Sequence, residues 1–98
     1  MEVQFRRKQL QKCYEDSDVA TQKWGQTVSR KYIQRIKVLL AAKEFNDLSS
    51  FESFNLHPLK GRRRGRYAIT LHDRWRMELV RLEEKVVRIE EVNNHYGD

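Results

Sequence analysis

One cysteine, one proline and four glycines are all this 98-residue chain has of the residues that staple, kink or loosen a backbone. The lone Cys13 excludes an internal disulfide and any cysteine cluster for zinc, and it points to a reducing compartment, the cytoplasm. It reads as a small half-buried residue, not as a nucleophile. No apolar run approaches the ~20 residues of a membrane span. The opening residues Met1 to Arg7 lack the apolar length of a signal peptide. Internal repeats and low-complexity tracts are missing too. The chain therefore reads as one domain over residues 1–98, with a small core drawn from 39% apolar residues.

Negative charge is the next scarcity. Twenty lysines and arginines face fourteen acidic residues, a formal net charge of +6. Such a field attracts polyanions: nucleic acid, an acidic partner or an anionic surface. The positive charge clusters, which favours nucleic acid or an acidic partner over a merely soluble basic surface.

The two halves differ in period. Residues 1–5 suit a short strand, and Leu10, Cys13 and Tyr14 recur at helical spacing from Arg6 to about Tyr14. Ser17 or Asp18 suits the cap of a second helix. Its stripe is Trp24, Val28, Tyr32, Ile36, Leu39 and Leu40, with Ile33 at the edge. Gly25 either marks its true start or is tolerated within it. Trp24 and Tyr32 read as core. Phe45, Leu48, Phe51 and Phe54 suggest a helical turn and a loop packed on that core. His57, before Pro58, should be extended. Three strands follow: 67–72, 75–80 and 86–92, with short connections that favour antiparallel pairing. Tyr67, Ile69, Leu71, Trp75, Met77, Leu79, Val87 and Ile89 share the face that packs on the helices. Arg66, Thr70, His72, Arg76, Glu78 and Arg88 fall on the other, which should be open, polar and cationic. Val92 is out of step, so the last strand should bend near its end.

The richest stretch is Leu56-His57-Pro58-Leu59-Lys60-Gly61-Arg62-Arg63-Arg64-Gly65-Arg66-Tyr67. Histidine moves protons near neutral pH, and lysine and arginine bind phosphate. One histidine beside a dense cation cluster suggests a site for RNA or another phosphorylated ligand. Arg62, Arg63, Arg64 and Arg66 would position a phosphate backbone with little base readout. Arg76 also suits phosphate, although pairing with Glu78 or Glu90 on an exposed face is the blander option. His72, beside the turn at Asp73, reads as a surface residue.

Leu56-His57-Pro58-Leu59-Lys60-Gly61, Gly65, Tyr67-Ala68-Ile69-Thr70-Leu71, Trp75-Arg76 and Val92-Asn93-Asn94-His95-Tyr96, in that order, carry a resemblance to the RelE/ParE superfamily of bacterial toxins. The likeness is greatest to its HigB-like branch (plasmid maintenance system killer). It covers residues 56–96 by motif and the helical half by pattern. It implies an α+β, RelE-like fold, with an N-terminal strand and two helices packed on a small, mainly antiparallel sheet. It also implies the toxin of a type II toxin–antitoxin system, an mRNA endoribonuclease that works on the ribosome and inhibits translation. In such enzymes the RNA's 2′-hydroxyl attacks the neighbouring phosphate without a metal or other cofactor. The partners implied are the ribosome, mRNA and a cognate antitoxin of helix-turn-helix, HigA-like type, with no membrane.

Residue by residue, His57 and Lys60 match the histidine and lysine of the family's hexapeptide, and Arg76 the arginine after its tryptophan. Arg63 matches a basic position. His95 and Tyr96 fall where the family carries an Asp-Tyr-His-like tail, whose place Asn94-His95-Tyr96 takes here. The general base stays open between a histidine and a lysine of lowered pKa. Two other functions fit the same fold: a ParE-like poison of DNA gyrase and a non-catalytic RNA-binding module. His57 and His95 favour the nuclease, because proton transfer needs them and gyrase binding does not.

Overall fold

Gly25 decides how the helical half divides. In the computed structural model, which describes residues 1–94, this glycine has φ +86°, and the apolar stripe is cut there into two helices. In chain order the elements are β1 (Glu2–Phe5), α1 (Lys8–Glu15), α2 (Ser17–Trp24) and α3 (Gln26–Ala41). Two 3-10 turns follow (Phe45–Ser50 and Glu52–Phe54), then β2 (His57–Pro58) and a third 3-10 turn (Gly61–Arg63). The chain continues through β3 (Arg66–His72), β4 (Trp75–Glu83) and β5 (Val86–Asn93). The α+β class and the three C-terminal strands are as expected. The cap of α2 is Asp16, whose side chain accepts the Asp18 N–H, not Ser17 or Asp18 themselves.

Trp24, Val28, Tyr32, Ile36 and Leu39 are buried as their spacing requires, and the Trp24 and Tyr32 rings meet edge to face, 4.7 Å between centroids. Leu40 departs from the stripe and is 45% exposed. Cys13 is wholly buried, not half-buried. Burial pushes its thiol up, which keeps it protonated and inert. The buried Tyr32 hydroxyl donates to the Leu10 carbonyl at 2.7 Å, tying α3 to α1. Tyr32→Phe should therefore cost about 1–2 kcal/mol in urea unfolding with the fold unchanged.

The sheet order is β1-β5-β4-β3-β2. Among the described residues β1 and β5 pair in parallel and the other pairs are antiparallel. Ile69, Leu71, Met77, Leu79, Val87 and Ile89 are buried in the core. On β5 the register slips: Glu91 lies opposite Glu78, and Ile89 opposite Leu79, so Glu90 is an extra residue. This bulge resets the alternation. It returns Val92 to Met77 and the core, and it leaves Glu91 on the open face. The bend expected from Val92 is this bulge.

Candidate active site

Cross-strand partners share a face of a sheet. His57 pairs with Ala68, Ala68 with Glu78, and Glu78 with Glu91, so one row crosses four strands on the open face. The neighbouring row holds Thr70, Arg76 and Asn93. With strands ~4.8 Å apart and alternate residues ~7 Å apart, the His57 and Arg76 backbones lie roughly 10 Å apart across the sheet and 7 Å along it.

His57 enters this face from an edge. Its Nδ1 lies 2.8 Å from the Asn55 carbonyl. A carbonyl only accepts, so neutral His57 carries its proton on Nδ1 and its lone pair on Nε2. Asn55 presents that carbonyl from a left-handed turn at φ +46°. Beyond Pro58, the Leu59 N–H donates to the Arg66 carbonyl at 2.8 Å, so the strand pairing extends to Leu59. Lys60 is exposed at the start of the 3-10 turn, and Gly65, at φ +97°, turns the chain into β3.

The arginine run separates. Arg62 and Arg64 are exposed. Arg63 instead donates to Glu78 at 2.5 Å, although its side chain stays 43% exposed. Arg66 donates through Nη1 to Glu78 (3.1 Å) and Glu91 (2.7 Å), and its Nη2 lies 3.7 Å from Glu90. Asn93 donates to Glu78 (3.0 Å) and Glu91 (2.8 Å). Glu90 accepts from Arg6 and Arg88, both at 2.7 Å. Burial acts to raise the Glu90 pKa, but the hydrogen bonds and charges of Arg88 and Arg6 outweigh it and hold the carboxyl below its ordinary value. On Arg66, burial acts downward and is outweighed by Glu91, Glu78 and Glu90, which hold its pKa above the usual arginine value.

This face, away from the helices, is polar as expected but neither simply cationic nor fully open, since Ala68, Arg76, Glu78 and Asn93 on it are buried. Three carboxylates beneath the arginines offset much of their charge. Arg76 donates through Nη1 to the carbonyls of Asp73 (2.6 Å) and Trp75 (3.1 Å). It is buried, as are Glu78 and Glu90. His72 is a surface residue beside Asp73, 3.2 Å away. His95 and Tyr96 lie outside the described residues.

Sequence reasoning missed the burial of Glu78 and Glu90. Alternation placed Glu78 on the correct face, but its complete burial depends on how the chain beyond it folds back. Arg35 was missed as well. It is buried on α3, donates through Nε to the Thr70 carbonyl at 3.2 Å, and lies over the Phe54 ring. Thr70 is where the β3–β4 register shifts. A groove of about 780 Å³ lies along α2 and α3, away from this face. Among the described residues no group of three or more histidine, cysteine or acidic side chains could hold a metal ion.

A family model described as "RelE-like toxin of type II toxin–antitoxin system HigB" matches residues 3–96. The chain belongs to the HigB-like toxin family. Being a type II toxin, it has a cognate antitoxin as partner. Its fold is similar to that of YafQ from E. coli strain BL21(DE3), with a TM-score of 0.68 and 16% identity, over 96% of this chain and 92% of that one. A single-substitution mutant of YafQ from E. coli gives a TM-score of 0.67 and 17% identity over the same shares. At that identity the likeness bears on the fold alone. No curated protein matches the toxin's sequence. Among its described residues no helix is long and apolar enough to cross a membrane.

Proposed function

We propose that this toxin is an mRNA endoribonuclease that acts on the ribosome, without a metal, and so inhibits translation. The observation that carries the reading is the shared face: His57, with its lone pair on Nε2, and Arg76 occupy neighbouring rows of one sheet surface, beside a cationic loop. His57 is partly exposed at the edge of that surface, and Lys60, Arg62 and Arg64 beside it are exposed, as contact with RNA requires.

In the proposed reaction a base takes the proton of the 2′-hydroxyl, and the 2′-oxygen attacks the adjacent phosphorus. The bond from phosphorus to the 5′-oxygen breaks, and an acid returns a proton to that oxygen. The products are a 2′,3′-cyclic phosphate and a 5′-hydroxyl. His57 suits proton transfer, and Lys60 a phosphate contact. Arg76 suits stabilisation of the crowded phosphorane, whose charge grows in the transition state. His95 and Tyr96 are proposed to complete the acid–base set. The antitoxin is proposed to be a helix-turn-helix protein encoded beside the toxin, and the setting to be the cytoplasm.

The test is a translation reaction with mapped mRNA ends. Cuts within codons on ribosomes, ending in cyclic phosphate, are expected. Intact mRNA together with gyrase-dependent DNA damage would sink the reading.

Arg62 and Arg64, the outward members of the run, should act as phosphate contacts. Each one lost should reduce the slope of log affinity for single-stranded RNA against log salt by ~0.7. Replacing both by alanine should therefore flatten the slope by ~1.4. An unchanged slope would mean that both face solvent in the complex.

A further inference from the structure

The buried carboxylate of Glu78 has no place in the proposed chemistry, yet it lies at the centre of the open face. Its side chain is fully buried and, among the described residues, accepts from Arg63 of the 3-10 turn, Arg66 of β3 and Asn93 of β5. Burying a carboxylate costs several kcal/mol unless its partners compensate, and an apolar residue of similar size usually serves a fold as well or better. The burial therefore calls for an explanation beyond stability.

The partners supply one. Arg63 is the middle arginine of the run. Its bond to Glu78 fastens the cationic turn to the sheet and leaves Arg62 and Arg64 outward. Arg66 is the only described side chain that joins Glu78, Glu90 and Glu91. Both arginine side chains remain partly exposed, at 43% and 24%. A carboxylate that grips a guanidinium from below fixes its plane and leaves its outer edge to meet a phosphate.

We propose that Glu78 is a positioning residue for the RNA-binding surface: its carboxylate holds Arg63 and Arg66 in the orientation that receives the RNA backbone and cancels part of their charge. The proposal rests on the nuclease reading only for its effect on cleavage; its effect on RNA binding stands apart.

Two effects of opposite sign follow from Glu78→Gln, which keeps the shape and removes the charge. Guanidiniums relieved of one carboxylate neutralise phosphates more readily. Binding of a plain single-stranded RNA should tighten about threefold at low salt, and its salt slope should steepen by ~0.7, one further phosphate contact. Cleavage of mRNA on ribosomes should fall about tenfold in kcat/KM, because the same guanidiniums are no longer aimed. A carboxylate with only a structural role would weaken both or change neither. One that merely competed with RNA would, on removal, improve both.

Arg63→Met provides the second variant, since Arg63 is 43% exposed and Arg66 and Asn93 still compensate the Glu78 carboxylate in its absence. It should flatten the wild-type slope, and in its background Glu78→Gln should steepen the slope less than in wild type. Equal slopes for wild type and Glu78→Gln, or the full steepening in the Arg63→Met background, would overturn the assignment and leave the nuclease reading standing. A wild-type protein that shows these slopes but leaves mRNA intact would overturn the nuclease reading and leave Glu78 as a positioning residue for RNA binding. Loss of fold in Glu78→Gln, seen by circular dichroism, together with an unaltered slope in Arg63→Met, would overturn the assignment.

Discussion

Arg76→Ala should cut mRNA cleavage about 100-fold or more at saturating ribosomes, while substrate affinity changes little. A guanidinium that stabilises charge growing on the phosphorane acts mainly in the transition state, and loss of one such donor costs on the order of 10²–10³ in rate. The residue also has a structural task. Its Nη1 donates to the Asp73 and Trp75 carbonyls at the β3–β4 turn, where Asp73 has φ +50°. Arg76→Lys therefore belongs beside the alanine variant. It keeps a cation but loses the planar fork that can serve the turn and a phosphate together, and it should recover only part of the rate. His57→Ala should lose about 100-fold as well, through proton transfer. The double variant should be little worse than either single one, because the two would act in one step. Single-turnover cleavage with melting curves on each variant checks this. Cleavage by a folded double variant within about threefold of wild type would remove both residues from the site.

The second large effect concerns stability, and it is asymmetric. Glu90 is buried, whereas its partners Arg6 and Arg88 are half exposed. Replacing both arginines by alanine strands a carboxylate in the sheet, a change that costs about 3 kcal/mol, since Arg66 remains 3.7 Å away. Glu90→Gln leaves the two arginines free to return to water and should cost less, about 1 kcal/mol. Urea unfolding distinguishes the two, and equal costs would refute the asymmetry. The same group sets a pH dependence. Folded Glu90 holds its proton less tightly than unfolded Glu90, whose ordinary value is 4.5. Its contribution is complete above that value and is lost as pH falls through the lower folded one. The double arginine variant should lose part of this acid sensitivity, and an unchanged acid limb in its unfolding curve would refute the linkage.

Local pattern made much of the fold legible. Tyr67 to Leu71 and Trp75 to Leu79 alternate so regularly that their faces were evident, and Pro58 marked His57 as extended. Legibility stopped where a distant segment decides. The parallel pairing of β1 with β5 joins residues more than eighty positions apart, and no short window encodes it. The Glu90 bulge showed only as Val92 falling out of step. The burial of Glu78 depends on Arg63 reaching down from a turn fifteen residues earlier in the chain. Of the candidate site, residue types and the face of Arg76 were readable; that His57 shares this face was not, because it follows from the pairing of a two-residue edge strand with β3. The division of the arginine run was not, because three identical neighbours carry no sign of which one is held.

The sheet order also bears on how the protein comes into being. β5, the last described strand to be made, lies between β1 and β4, so β1 waits for β5 before it has a partner. Asn93 and the two glutamates of that strand reach the open face only then. A nascent chain halted at the Glu84-Lys85 turn already carries the whole arginine run but none of the β5 groups that join it. Assembly of the working surface is thus tied to completion of the strand, and fragments that stop short of it carry the charge without the site.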